Sequence, residues 1–259
     1  MLKIDVAIAT YTPEGLRRIE KMLPPPQAGI RYIVSWQQHE NAEIPVPLRN
    51  REDVEIYRFE ERGVSKNRNN CLKHCESDII LMADDDLIYE IDFADKIRRA
   101  FEQNPKNDLI TFKVDYFNKK EYPSKDTELY LPLPKNFYVS LVEIAMRRES
   151  VGDMKFCEHI GPGSDKLLCG EDELFFITAV RRGLKCMFVN ERIAKHPHLS
   201  TGDKITPGIL LGQGYIIRQM YPRSFCFRIP LKAYRLFKAG RSPFFSTVRL
   251  LFSGSYHKV

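Results

Sequence analysis

Three consecutive aspartates, Asp84-Asp85-Asp86, follow directly on the apolar run 78 to 83 (DIILMA). Carboxylates packed this closely raise one another's pKa and repel. A divalent cation relieves that repulsion, and Mg²⁺ or Mn²⁺ takes oxygen ligands while leaving positions open for substrate phosphates. In extended chain, side chains two apart point the same way, so Asp84 and Asp86 can converge while Asp85 faces elsewhere. The alternative is an acidic turn or helix start held by the helix dipole. A second acidic group, Gly170-Glu171-Asp172-Glu173, precedes the apolar stretch 174 to 177. A carboxylate in the first turn of a helix is kept ionised and can act as a general base toward a hydroxyl, or it simply caps the helix. His196 and His198 flank Pro197. A histidine at a strand end can add a nitrogen ligand to the same metal, although a lone histidine is more often structural. Lys66 and Arg68 open a segment that starts at Gly63. There they can grip a diphosphate, or they line an outer helix face.

The elements that would position these groups alternate. Residues 2 to 9, 30 to 36, 54 to 59, 78 to 83 and 108 to 114 read as strands. Helical patterns occupy 13 to 23, 63 to 74 and 91 to 103. Repeated β-α-β units predict an α/β fold, a mostly parallel sheet flanked by helices, and α/β sheets place ligands at the carboxyl ends of their strands. From 115 the pattern changes. Residues 115 to 136 are polar and proline-bearing, 137 to 147 read as a strand, 161 to 165 as a loop, and 172 to 182 as a helix. Short strands are expected at 185 to 189 and 192 to 195. Two or three amphipathic helices are expected from 206 onward.

In this order the motifs resemble the inverting glycosyltransferases of family 2, with the GT-A fold. The opening strand meets Thr10-Tyr11; then come Gly63-x-Ser65-x-x-Arg68-Asn69, Asp84-x-Asp86, Glu171-Asp172, and a late His196-Pro197 with Ser200-Thr201. The resemblance spans roughly residues 3 to 202. It implies a donor-binding half over 1 to 114, an acceptor-binding half over 115 to 203, and a C-terminal helical extension over 204 to 259. It also implies that Asp84 and Asp86 hold Mn²⁺ or Mg²⁺ against the diphosphate of a nucleotide sugar. His196 would be a further ligand, with His198 as its substitute. Asp172 would be the base that activates an acceptor hydroxyl, and Glu171 would orient it. Thr10, Tyr11, Lys66, Arg68 and Asp85 fall on the nucleotide side. Where the family usually carries an aspartate that reads the base, this chain has Ser35-Trp36-Gln37-Gln38-His39. Gln37 or Gln38 is expected to hydrogen-bond a uracil edge, with Trp36 to stack on it, and a UDP-sugar is the expected donor. The expected acceptor is a saccharide or a lipid-linked one, in surface polysaccharide or glycolipid synthesis. The competing readings are another nucleotide-processing enzyme or a non-catalytic binding protein of the same fold. Only Gly15 lies in residues 9 to 16, too few glycines for an N-terminal phosphate loop. The paired acidic groups weigh against a non-catalytic protein.

Composition bounds the rest. The 259 residues are 43% hydrophobic and 29% charged, a globular balance. No apolar run reaches the roughly 18 residues of a membrane span, and the opening residues do not read as a signal peptide, so a cytoplasmic location is expected. Six cysteines without a CxxC pair read as reduced. The net charge of +6 is unevenly spread. Beyond Asp203 there are ten Lys or Arg and no acid, so the tail carries about +10 and the preceding chain about −4. With its interleaved aromatics, 204 to 259 suits an anionic membrane surface, on the inner face of the cell membrane, or packs on the catalytic domain with its cations in solvent. Nucleic-acid reader motifs are missing, so no nucleic acid is expected.

Overall fold

A computed structural model describes residues 1–117, 120–197 and 205–258. The chain runs through β1 (Ile4–Tyr11), α1 (Thr12–Met22), β2 (Ile30–Gln37), the short α2 (Val46–Arg49), β3 (Val54–Phe59), α3 (Val64–His74), β4 (Ile79–Ala83), β5 (Ile88–Tyr89), α4 (Phe93–Gln103) and β6 (Leu109–Tyr116). It continues through β7 (Thr127–Leu129), a 3₁₀ turn at Leu141–Glu143, β8 (Ile144–Arg147), α5 (Arg148–Val151), α6 (Glu171–Arg181) and β9 (Cys186–His196). Helices α7 (Pro207–Met220), α8 (Phe225–Lys238) and α9 (Phe244–Ser255) close it.

The strands form one nine-stranded sheet in the order β3-β2-β1-β4-β8-β6-β9-β5, with β7 on β9. Strands β3, β2, β1 and β4 pair in parallel. β8 runs antiparallel to both its neighbours, β4 and β6. Alternation along β1 explains the layers. Ile4, Val6 and Ile8 pack with Leu16 and Ile19 of α1 and Ile97 and Phe101 of α4. Ala7 faces the opposite layer, with Cys71 of α3 and Phe175 and Phe176 of α6. Both faces are therefore covered, as a largely parallel sheet requires.

Two expectations change. The strand read over 137 to 147 survives only as β8. Ser140 makes a capping box with Glu143, and this turns 141–143 into a 3₁₀ helix before the ladder begins. The two short strands expected near 185 to 195 are one strand, whose register against β6 shifts between Thr111 and Val114. A bulge of this kind bends the strand without ending it.

The last three helices form a layer of their own around Leu210, Ile229, Ala233 and Leu251. α7 and α9 cross where both lack side chains. A Cβ on Gly214 would lie 2.0 Å from the Leu251 carbonyl, and one on Gly254 2.0 Å from that of Leu211. α7 also packs on α6, which anchors this layer to the sheet domain.

Candidate active site

The site lies at the carboxyl ends of β1 and β4. The middle aspartate of the trio holds the corner together. Asp85 is buried and accepts from Thr10 Oγ1 and from Arg18 Nε and Nη2 at 3.0 and 2.8 Å. These bonds tie the end of β4 to β1 and α1. The approach is so close that a Cβ on Gly15 would sit 1.9 Å from Thr10 Oγ1. Thr10 and Asp85, expected on the nucleotide, are joined to each other instead, because a buried carboxylate needs donors. Arg18, which sequence reasoning missed, supplies the charge.

Asp84 and Asp86 have other partners, and the trio lies beyond β4, with Asp85 and Asp86 in a turn and not in the extended chain expected. The Asp84 side chain is 37% exposed and meets Arg68 Nη2 at 3.4 Å. Asp86 Oδ1 lies 3.4 Å from Nε2 of His196, at the end of β9. That imidazole is itself stacked on Tyr116. His198 falls outside the described residues.

Arg68 joins this group to the second acidic pair. Its side chain is 5% exposed. Nη1 donates to Asp172 Oδ1 at 2.8 Å and to Glu171 Oε1 at 3.1 Å. One guanidinium thus touches Asp84, Glu171 and Asp172, so Asp84 and the glutamate–aspartate couple face the same space. Burial opposes the Arg68 charge, but the carboxylates outweigh it and raise its pKa. α3 is pinned to carry this arginine. Ser65 Oγ donates to Ile160 O at 2.8 Å, Asn67 Nδ2 to Thr10 O at 2.8 Å, and Asn69 exchanges bonds with the Phe156 backbone. The expected grip of Arg68 on a diphosphate is therefore replaced by a grip on three carboxylates.

On α6, burial and then the neighbouring Asp172 charge push the Glu171 pKa up. Glu173 is pushed up to about 7, first by burial and then by Asp172. Asp172 has a donor at each oxygen: Arg68, and the Leu141 backbone N–H at 3.0 Å from Oδ2. These orient its carboxylate across the site. That amide donor, on the 3₁₀ turn, left no trace in the sequence.

Of the residues expected to read the base, Gln38 is exposed, while Gln37 and Trp36 serve the fold. Gln37 is buried; its amide donates to Glu61 O and, at 3.2 Å, to Gly63 O, fixing the entry to α3. Trp36 has no exposure, and its indole N–H donates to Thr12 O at 2.8 Å. Neither presents a face to a nucleobase. Both lie on a strand buried on both faces, where side chains serve the core. Tyr11, by contrast, is 57% exposed at the end of β1. Lys66 pairs with Glu61 at 2.5 Å.

Residues 36–160 match the family model described as Glycosyl transferase family 2. This segment, just under half of the chain, is what is similar to that family. The matched segment contains α3, Arg68 and the aspartate trio, and the similarity supports inverting transfer of a sugar from a nucleotide-diphosphate donor. No curated protein matches the sequence. Among solved structures, the S. aureus TarS fragment 1-349 aligns over 98% of this chain and 90% of its own, with a TM-score of 0.63 at 14% identity. S. aureus TarS aligns over 99% of this chain and 56% of its own, with a TM-score of 0.64 at 16% identity. The 1-349 fragment in complex with UDP-GlcNAc gives a TM-score of 0.62 at 16% identity, over 96% and 83%. At these identities the likeness is one of fold.

Proposed function

We propose that this enzyme transfers a sugar from a UDP-sugar to a hydroxyl of a polymeric or lipid-linked saccharide, with help from a divalent cation. The UDP and UDP-GlcNAc complexes of the structurally similar TarS fragment support the choice of donor. The observation that carries the reading is Arg68, which brings Asp84 and Asp172 to one guanidinium.

Asp84, Asp86 and His196 would hold Mn²⁺ or Mg²⁺. Among the described residues there is no ready-made group of three or more His, Cys, Asp or Glu for a metal. However, carboxylate and imidazole suit these ions, which usually keep several waters and substrate phosphates as ligands. Two protein donors, as in the Asp86–His196 pair, therefore fit. When bound, the cation neutralises charge developing on the departing diphosphate. Tyr11 and Lys66 flank the nucleotide side. Asp172, oriented by Arg68 and the Leu141 N–H, takes the proton of the acceptor hydroxyl as its oxygen attacks the anomeric carbon. Glu171 holds the acceptor in place. The bond to the diphosphate breaks on the opposite face, so configuration inverts in one displacement. The division into a donor half to 114, an acceptor half to 203 and a basic tail follows from this assignment.

UDP release from UDP-GlcNAc, UDP-glucose and UDP-galactose, with Mn²⁺, Mg²⁺ or EDTA, tests the reading. Release that needs the metal and is lost in Asp86→Ala supports it. Absence of release from every donor returns the chain to a non-catalytic binding role.

The tail carries a second part of the proposal, peripheral attachment to an anionic bilayer. Among the described residues no helix is long and apolar enough to cross a membrane. Yet Phe227, Leu231, Tyr234 and Phe237 are exposed along α8, and Phe245 is 85% exposed at the start of α9. Arg235, Lys238 and Arg249 are exposed among them. Aromatics rimmed by cations, with no acid among the last 56 residues, match a negatively charged interface. The protein should sediment with phosphatidylglycerol vesicles and not with phosphatidylcholine, and Phe237→Ser with Phe245→Ser should abolish this. Undiminished binding by that variant rules this surface out.

A further inference from the structure

The segment between β6 and β8 buries a lysine against a glutamate, and the transfer chemistry uses neither. The side chains of Lys120 and Glu143 have no solvent exposure, and Nζ donates to Oε1 at 2.5 Å. The same oxygen accepts from Tyr122 OH at 2.7 Å and Tyr116 OH at 3.0 Å. The Ser140 N–H donates to Oε2 at 3.3 Å. The ammonium lies 3.9 Å from the centre of the Tyr138 ring, and 5.1, 5.3 and 5.6 Å from those of Tyr122, Phe137 and Tyr116. Burial lowers the Lys120 pKa and Glu143 opposes that.

A buried ion pair is poor evidence for stability, since apolar residues of similar volume often hold a fold as well or better. What sets this pair apart is where its ends attach. On one side, Tyr116 stacks on the His196 ring with centroids 5.6 Å apart, and His196 Nε2 is 3.4 Å from Asp86. On the other side, Glu143 closes the 3₁₀ turn whose first amide, Leu141 N–H, donates to Asp172. A continuous set of contacts therefore runs from His196 through Tyr116 and Glu143 to Asp172.

We propose that the Lys120–Glu143 pair is a positioning element that sets the spacing between His196 and Asp172, the two sides of the reaction site. The inference rests on the roles given to those residues above. It does not place Lys120 or Glu143 against substrate. Misplacement of reacting groups by about an ångström can lower rate a hundredfold, so a small relaxation of this node would show in turnover.

The test compares Lys120→Met, Glu143→Gln and the double variant, by melting temperature and by UDP release from the three UDP-sugars with Mn²⁺. Each single change leaves a buried charge unpaired and should lower both melting temperature and kcat. The double variant has neither charge of the pair left. It should regain the wild-type melting temperature yet keep kcat about tenfold or more down, with the donor KM within about twofold. Recovery of kcat together with melting temperature would make the pair merely structural and overturn the proposal. Should the double variant not fold, Lys120→Arg retains charge and donors while displacing the pair. A kcat about tenfold down at unchanged donor KM is then expected, and wild-type kcat refutes the idea. Asp172→Asn in the same assay separates the failures: if it turns over normally, or if no UDP-sugar is used, the site assignment has failed and not only the positioning role.

Discussion

Two arginines in this molecule each meet three carboxylates, and they do different things. Arg31, 32% exposed on β2, bonds Asp5 at 2.9 and 3.0 Å and Glu55 at 2.9 Å, and lies 3.8 Å from Glu76. The carboxylates have other donors. Asp5 also accepts from the Glu76 and Ser77 amides and from Ser77 Oγ, and Glu55 accepts from Tyr57. Burial pushes the Asp5 pKa up, but Arg31, Ser77 and Glu76 together hold it below the usual value. That network ties β1, β2 and the entry to β4, and it is electrically settled. Arg68, 5% exposed, faces Asp84, Glu171 and Asp172, with Asp86 and Glu173 adjacent in the chain. One cation there serves an excess of carboxylates, and Glu171 and Glu173 have raised pKa values, first through burial and then through the Asp172 charge. A satisfied network builds a fold; an unsatisfied one invites a cation and a proton.

The largest expected effect breaks the site and spares the fold. Asp172→Asn should lower turnover by about 10²–10⁴-fold, the usual contribution of a positioned base. Its melting temperature should hold or rise, because a repelling charge is removed. Steady-state kinetics beside thermal melting checks both. Next, Arg31→Met should lose about 3 kcal/mol of unfolding free energy in urea titrations, as a buried carboxylate loses its cation. Arg68→Met should also be destabilised, but Mn²⁺ should restore it and leave Arg31→Met unimproved. Equal responses of the two variants to Mn²⁺ would erase the contrast drawn between the networks.

The smallest effect is a pH dependence. Glu173 has its pKa raised from 4.5 to about 7, so the folded state holds this proton more tightly than the unfolded chain. Its stabilising contribution is complete below the unfolded value and is lost as pH rises through about 7. Glu173→Gln lacks that loss. Relative to the wild type it should gain on the order of 1 kcal/mol between acid and mildly alkaline pH. Parallel stability–pH curves for the two proteins would contradict the assignment.

Much of the layout was legible in the residues. The β-α-β rhythm was read from periodicity, whereas the partners of Asp84 and Asp86 were not, since Asp85 and Asp86 lie in a turn beyond β4 and not in extended chain. The first-turn position of Glu171 and Asp172 followed from the glycine before an apolar helix. Misreadings fell where a side chain's direction depends on distant packing. Trp36 and Gln37 sit in a strand that reads as able to present a base platform, but the ends of α1 and α3 cover them. Glu143 did carry a signal, an acid within the run FYVSLVEIAMR, and a buried acid implies a buried partner. Lys120 carried none.

What residue order alone determined is local: which stretches extend or coil, where carboxylates follow a strand, and that the last 56 residues are wholly basic among their charged groups. Tertiary structure decided which charges meet. Arg68 reaches Asp84 across 16 residues and Asp172 across 104, while Asp85, between two aspartates that face the site, turns to Arg18, 67 residues back. Coulomb energy and hydrogen-bond geometry depend on distances of a few ångströms, and only the packed sheet with its helices sets those.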